Sequence, residues 1–170
     1  MSVRQLGGDE WMVAQEIRLD ALAGSPPGTF ATTYEVAAQW DEWQWRQWVG
    51  TRLLFVAENG DRVVGCAGII TETEPPTVVS VWVNPCARGQ GTSDLLLAAT
   101  INWARELGHH HLRLCVVVGN QHAERLYLRT GFTFTGREQR CADDDPRMER
   151  EMVIALASAP PQPAPSQGRG

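Results

Sequence analysis

A chain of 170 residues, 43% apolar and 21% charged, is long enough to bury one core and has the makeup of a single globular domain. Its net charge of −5 offers no basic excess to neutralise a phosphate array. That argues against a general nucleic-acid or membrane-surface role, though not against one small anionic ligand. Met1 to Leu6 carries no apolar leader and no run of about 18 apolar residues follows, so a cytoplasmic protein without a membrane span is expected.

In chain order, Val3 to Leu6 reads as a short strand, and Asp9 as the N-cap of a helix carrying Met12, Val13, Ile17, Leu19 and Leu22 and ending near Gly24 and Pro26-Pro27. A second helix is predicted over Tyr34 to Trp48, with Val36, Ala37, Trp40, Trp43 and Trp48 on one broad face and Trp45 at its margin. From Leu53 the period changes. Leu53 to Ala57 and Val63 to Ile70 read as strands joined at Asn59-Gly60, and a third, Val78 to Val83, follows the proline-bearing segment from Glu72 to Pro76.

That antiparallel meander runs straight into Arg88-Gly89-Gln90-Gly91-Thr92-Ser93 and then an amphipathic helix with Leu95, Leu96, Ala99, Trp103 and Leu107 on one face, stopping at Gly108. Amides of a helix's first turn lack intrahelical acceptors, and glycines let the backbone approach a ligand closely, so the junction suits a pyrophosphate. Arg88 adds a positive charge nearby. The next strand covers His111 to Val118. Asn120 then caps a short helix bearing Ala123, Leu126 and Tyr127, closed by Gly131. Two last strands, Phe132 to Gln139 and Glu149 to Leu156, flank the acidic segment Asp143-Asp144-Asp145-Pro146. Residues 1–156 thus form the domain, and Ala157 to Gly170, rich in Pro, Gln, Ser and Gly, reads as a disordered tail.

Cys66, Cys86, Cys115 and Cys141 form no CxxC pair, which points to free thiols rather than a zinc site or a disulfide framework. His109, His110 and His111 have no carboxylate or cysteine at ligand spacing, so no metal is expected.

The element order β-α-α-β-β-β-α-β-α-β-β, with the motif Arg88-x-x-Gly91 and then Asn120, Ala123, Leu126-Tyr127 and Gly131-Phe132, resembles the GCN5-related N-acetyltransferase (GNAT) superfamily. The resemblance covers Val3 to Leu156. It implies an α/β (α+β) fold whose mixed, mostly antiparallel sheet of six to seven strands is flanked by about four helices. It also implies acetyl-CoA as acyl donor, its pyrophosphate on the amides of Arg88, Gly89, Gln90, Gly91, Thr92 and Ser93. The pantetheine arm would pair with the backbone of Trp82 and Val83, and Asn120 would hold the cofactor near its thioester end. Tyr127 takes the family's place for the acid that protonates the departing thiolate, with a backbone amide near Val83 as oxyanion donor.

Two positions depart from the pattern. Ser93 replaces a smaller Gly or Ala, and Cys115 stands where relatives that acetylate protein N-termini carry a glutamate base. The base is therefore open among Glu35, Glu72, Glu74 and water, with Asp143 to Asp145 able to attract a cationic acceptor. A small-molecule amine is the expected acceptor, nucleic acid and membrane are not expected partners, and a homodimer fits the superfamily's habit. A non-catalytic acyl-CoA sensor on the same fold is the main alternative. A dinucleotide site is opposed by Asp94 in place of the third glycine, and a Walker NTPase by the absence of Lys after the loop.

Overall fold

The structure, a computed structural model, describes residues 1–30, 32–143 and 145–157. The predicted tail from residue 158 onward and Asp144 of the acidic segment lie outside the described residues. Among the described residues the chain forms seven strands, five α-helices and a 3-10 turn at Pro85–Ala87. The strands are β1 (Ser2–Gln5), β2 (Leu53–Asn59), β3 (Arg62–Ile70), β4 (Thr77–Val83), β5 (His111–Val117), β6 (Thr133–Ala142) and β7 (Asp145–Ala155). The helices are α1 (Trp11–Ala23), α2 (Tyr34–Ala37), α3 (Glu42–Gly50), α4 (Thr92–Glu106) and α5 (Gln121–Arg129). One sheet, ordered β1-β2-β3-β4-β5-β7-β6, is antiparallel throughout except where β4 meets β5.

The hairpin between β2 and β3 turns one residue later than the Asn59-Gly60 reading. Asn59 pairs with Arg62, leaving Gly60 and Asp61 as the loop, with Gly60 at φ 62. That arrangement needs a glycine at its first loop position.

Three other expectations are corrected. The N-cap of α1 is Glu10 rather than Asp9, and it makes no side-chain cap. Arg4 on β1 and the Gly7 amide both donate to the Glu10 carboxylate instead. The single helix predicted from Tyr34 to Trp48 is two, because Asp41 and Gln44 form a reciprocal capping box that restarts the chain as α3. The restart re-phases the tryptophans: Trp45 is fully buried while Trp43 is 67% exposed. Finally, α4 buries Leu96, Leu97, Thr100, Ile101 and Ala104, so its inner face is turned by about a residue and Leu95 and Leu107 are exposed.

Both faces of the sheet are packed. Ala14, Ile17 and Ala21 of α1 and Val49 of α3 meet Leu54, Val56, Cys66 and Trp82 on one side. Leu96 of α4 meets Phe55, Ala57, Ala67, Ile69 and Val83 on the other, and this layer continues through Leu97 and Ile101 to Leu112, Leu114, Leu126, Tyr127, Phe132 and Met152. Burial of these side chains, at roughly 25 cal/mol per Å² of apolar surface, is the main term holding the layers together.

The site depends on how β4 and β5 part. They pair only at Thr77 with Arg113 and Val78 with Leu114, a joint reinforced by Arg113 donating to Thr77 Oγ1 at 2.9 and 3.1 Å. Beyond it, β4 carries a bulge against β3 and places Ser80 at φ 55, in the left-handed region. The extra residue flips the alternation, so Val78, Val81 and Val83 pack toward the α4 layer and Trp82 toward α1. From Val79 on, the β5-facing edge of β4 has no strand partner among the described residues.

Candidate active site

Two cavities fill the fork between the strands. The first, of about 270 Å³, is bounded by Phe30, Ser80, Cys115, Val117 and Arg147 among others. The second, of about 410 Å³, is bounded by Trp82, Val83, Arg88, Ser93, His122 and Leu126. Val81, Asn120, Ala123 and Tyr127 line both, so the two spaces meet around these residues.

Of the sequence-predicted residues, Trp82, Val83, Arg88, Ser93, Asn120 and Tyr127 come together around the second cavity. Gly89, Gln90, Gly91 and Thr92 bridge two of them at its edge. Gly89 and Gly91 have φ of 74 and 78, and a Cβ built on either would meet no atom within 4 Å. What requires glycine there is the backbone conformation, while the space in front stays open. Among the described residues nothing accepts a hydrogen bond from the amides of Gly89, Gln90, Gly91, Thr92 or Ser93. Such a set at the start of a 15-residue helix is a fit for a pyrophosphate.

The loop's side chains are committed to shaping it. Thr92, buried, donates its hydroxyl to Ala87 O at 3.0 Å, and Gln90 Nε2 donates to Cys86 O at 3.1 Å. Arg88 Nε donates to Val83 O at 3.1 Å, so the guanidinium lies along the end of β4. Asn120 Oδ1 accepts from the Ala123 amide at 3.2 Å, as its N-cap role requires, which leaves its amide group free to face the shared space.

Tyr127 is 9% exposed, its ring edge-on to Phe132 at 6.2 Å. Among the described residues its hydroxyl has no hydrogen-bond partner, and burial pushes its pKa up to about 12. The Cys115 thiol is also pushed up to about 12, first by burial and then by the Glu149 carboxylate. A phenol and a thiol held in this fork thus stay matched, because both pay for ionising away from water.

The base candidates do not gather here. Glu35, Glu72 and Glu74 are exposed and line neither cavity. Glu72 and Glu74 precede β4 and so sit at the closed end of the fork, next to the Thr77–Arg113 joint. The structure instead brings up two carboxylates that sequence reasoning missed. In the β5–β7 ladder Cys115 faces Glu151 and Val117 faces Glu149, which places both glutamates on the sheet face of Cys115. Glu151 is tied to Arg113 at 3.5 Å and Thr135 at 2.9 Å. Glu149 accepts from Gln139 Nε2 at 2.7 Å and acts on the thiol of the cavity-lining Cys115, though it bounds neither cavity itself. The alternation Arg147-x-Glu149-x-Glu151 was a signal, but only the register shows what it faces.

Among the described residues no three His, Cys, Asp or Glu side chains cluster as a metal site, and His109 is stacked on Trp103 at 5.4 Å. Among the same residues no helix is long and apolar enough to cross a membrane.

A forked parallel joint in an otherwise antiparallel sheet, with a glycine-rich helix start beside it, is the arrangement that the resemblance to the N-acetyltransferase superfamily implies. The sequence profile of the acetyltransferase (GNAT) family matches residues 19–132, and the chain belongs to that family. Among curated relatives, N-acetyltransferase 8B of Rattus norvegicus is 33% identical over 89 residues, 49% of this chain and 40% of that protein. The chain therefore matches well under half the length of this relative. The ribosomal-protein-S18-alanine N-acetyltransferase of Escherichia coli superposes with a TM-score of 0.67 at 20% identity, covering 94% of this chain and 96% of that one. A Bacillus anthracis structure solved in complex with acetyl coenzyme A superposes with a TM-score of 0.56 at 15% identity over 63% of this chain and 64% of its own.

Proposed function

We propose that the chain transfers the acetyl group of acetyl-CoA to the primary amine of a small molecule. The observation that carries this reading is the meeting of two cavities at Tyr127, Asn120 and Val81, one bordered by the free amides of the glycine-rich loop and the other by Cys115, Phe30 and Arg147. The amides of Gly89 to Ser93 would hold the pyrophosphate, and the unpaired edge of β4 at Trp82 and Val83 would take the pantetheine arm as an added strand. Bound there, acetyl-CoA supplies an activated acyl group. Tyr127 donates a proton or a strong hydrogen bond to the departing sulfur. An alkyl amine with a pKa of about 10 must lose a proton before attack. Glu149 is the base we assign, since it shares the sheet face of cavity-lining Cys115 and, unlike Glu151, is not tied to Arg113. The four cysteines, free in the structure, fit a reducing, cytoplasmic setting.

Thiol release from acetyl-CoA over a panel of amines tests the reading. Saturable release with at least one amine is expected. Tight, saturable acetyl-CoA binding without release on any amine would instead make the chain an acyl-CoA sensor.

A further inference from the structure

Arg18 of α1 is a buried cation without a counter-ion. It is 6% exposed, and its Nε is sealed from solvent with no hydrogen-bond partner. Its guanidinium carbon lies 4.3 Å from the centroid of Phe30 and 5.3 Å from that of Trp48. Nη1 makes one long contact, 3.5 Å to Ser80 Oγ. Among the described residues no carboxylate lies within 4.0 Å of it. Arg52 stacks on the other partner, Trp48, at 4.3 Å and is likewise without a carboxylate among the described residues. Burial lowers both guanidinium pKa values, and with Arg18 adding to the effect that of Arg52 comes down to about 10. An arginine side chain keeps its proton in proteins, so two cations share one indole with no carboxylate paired to either among the described residues.

Burying an unpaired charge is costly, and folded proteins normally supply its partner. The place where a partner can come from is the first cavity, because Phe30 and Ser80, which both touch Arg18, line it. Arg147, which lines that cavity, and Arg113 of β5 are already engaged. Arg147 is held by Asp145, and Arg113 by Glu151 and Thr77.

We propose that Arg18 anchors a carboxylate carried by the acceptor, which is therefore an amino-acid-like molecule bearing its amine at Tyr127 and its carboxylate at the Phe30–Ser80 wall. The inference rests on the acetyl-transfer reading above and narrows it. The cavity, about 270 Å³, is at the small end of ligand sites and matches a single amino acid or a modest derivative. A planar guanidinium whose one hydrogen bond is the long contact to Ser80 is suited to bidentate capture of a carboxylate. A simple cationic amine would meet unscreened positive charge there, whereas a zwitterion brings its own neutralising group. Phe30, half-buried over the guanidinium, must turn aside to admit the carboxylate.

The test uses matched triplets on the full chain: an L-amino acid, its carboxamide, and the amine lacking the carboxyl group, for alanine, phenylalanine and methionine. Thiol release is the readout. The wild type is expected to show kcat/KM at least tenfold higher for the acids than for the amides and amines. Amine basicity cannot create the preference over the carboxamide, because the amide is the less basic and readier nucleophile, so the acid-to-amide ratio is the deciding one. Arg18→Met should bring the ratio to within about threefold through a raised KM for acids, with acetyl-CoA affinity unchanged, and Arg18→Lys should keep part of it. Amides or amines matching the acids in the wild type, or an acid preference surviving in Arg18→Met, would overturn the proposal. If Arg18→Met does not fold, the wild-type ratio decides alone. If no triplet member gives thiol release although acetyl-CoA binds, the acetyl-transfer reading fails for these amines. Calorimetric binding of acid against amide to the CoA-saturated protein then judges the anchor separately: acid binding alone supports it, and equal or no binding refutes it.

Discussion

Replacing Tyr127 with Phe isolates the one atom on which the acid role rests. The hydroxyl has no partner among the described residues, and the ring's edge contact with Phe132 at 6.2 Å is kept in the variant. No intramolecular hydrogen bond is lost, so folding stability should change by less than about 1 kcal/mol. Burial moves the phenol from 10 to about 12. At 1.36 kcal/mol per unit the fork disfavours this anion by roughly 3 kcal/mol relative to water. A thiolate forming there meets a similar penalty, as Cys115 shows, unless a donor meets it. Removing the donor should therefore lower kcat by about 10²- to 10⁴-fold while the Kd of acetyl-CoA stays within about threefold. Thiol release at saturating amine, with calorimetry for binding, measures both. The raised pKa also fixes a sign. Tyr127 contributes stability that is whole below about pH 10 and lost as pH rises toward 12, and Tyr127→Phe should lack that share of the alkaline loss. A variant with wild-type kcat would remove Tyr127 from the chemistry, and one that unfolds readily would make its hydroxyl structural.

Three further outcomes follow from the same geometry. Gly91→Ala should cost about 1–2 kcal/mol of stability through its φ of 78 alone, since its Cβ meets open space, whereas Gly91→Asp should in addition abolish detectable acetyl-CoA binding by setting a carboxylate before the phosphates. Urea unfolding and calorimetry separate the two effects, and wild-type affinity in the Asp variant would show that the loop does not hold the pyrophosphate. Glu149→Gln should lower kcat/KM by about 10²- to 10⁴-fold at pH 7 and recover part of it at high pH, where the amine deprotonates unaided. A pH profile parallel to that of the wild type would eliminate Glu149 as the base. With Ellman's reagent at pH 8, exposed Cys86 should react first, half-buried Cys115, held up to about 12 by burial and Glu149, more slowly, and buried Cys66, held up to about 12 by burial, only in denaturant.

What the chain revealed in advance is what local chemistry writes into it. The glycine loop needs two residues with positive φ, Asn120 caps a helix three residues before Ala123, and Tyr127 follows on the buried side of that helix, all within short stretches. The second helix misread a signal that was present. Asp41 three residues before Gln44 is a capping box, and it outweighs the continuous apolar stripe on which a single helix rested. In α4 the run Leu95-Leu96-Leu97 leaves the phase of the buried face open by one residue, and packing against β2 and β3 settles it on Leu96 and Leu97. The acceptor side was illegible for a different reason. Glu149 reaches Cys115 only through the register of an antiparallel ladder, and Arg18 reaches Phe30 and Ser80 only when α1 lies on the sheet. An arginine among helix apolar residues looks like a surface charge until its neighbours are known.

Ser80 shows how little sequence is needed to open the fork. A non-glycine residue at φ 55 costs about 1–2 kcal/mol, and here it flips the alternation of β4 just past its joint with β5. Ser80→Gly removes that strain but adds about 0.5–1 kcal/mol of unfolded-chain entropy. The net effect should lie between neutrality and a gain of about 1 kcal/mol, since the 3.5 Å contact from Arg18 contributes little. Ser80→Val puts a β-branched side chain where the left-handed region excludes it, so the strand must either bear the strain or straighten. Straightening would extend the β4–β5 pairing through the space the two cavities occupy. Ser80→Val should therefore lose about 1–3 kcal/mol in urea unfolding, or keep its stability and lose acetyl-CoA binding. A Val variant with both stability and binding intact would mean that the fork is set elsewhere, by the packing of Val81 and Trp82 on opposite faces rather than by the backbone of residue 80.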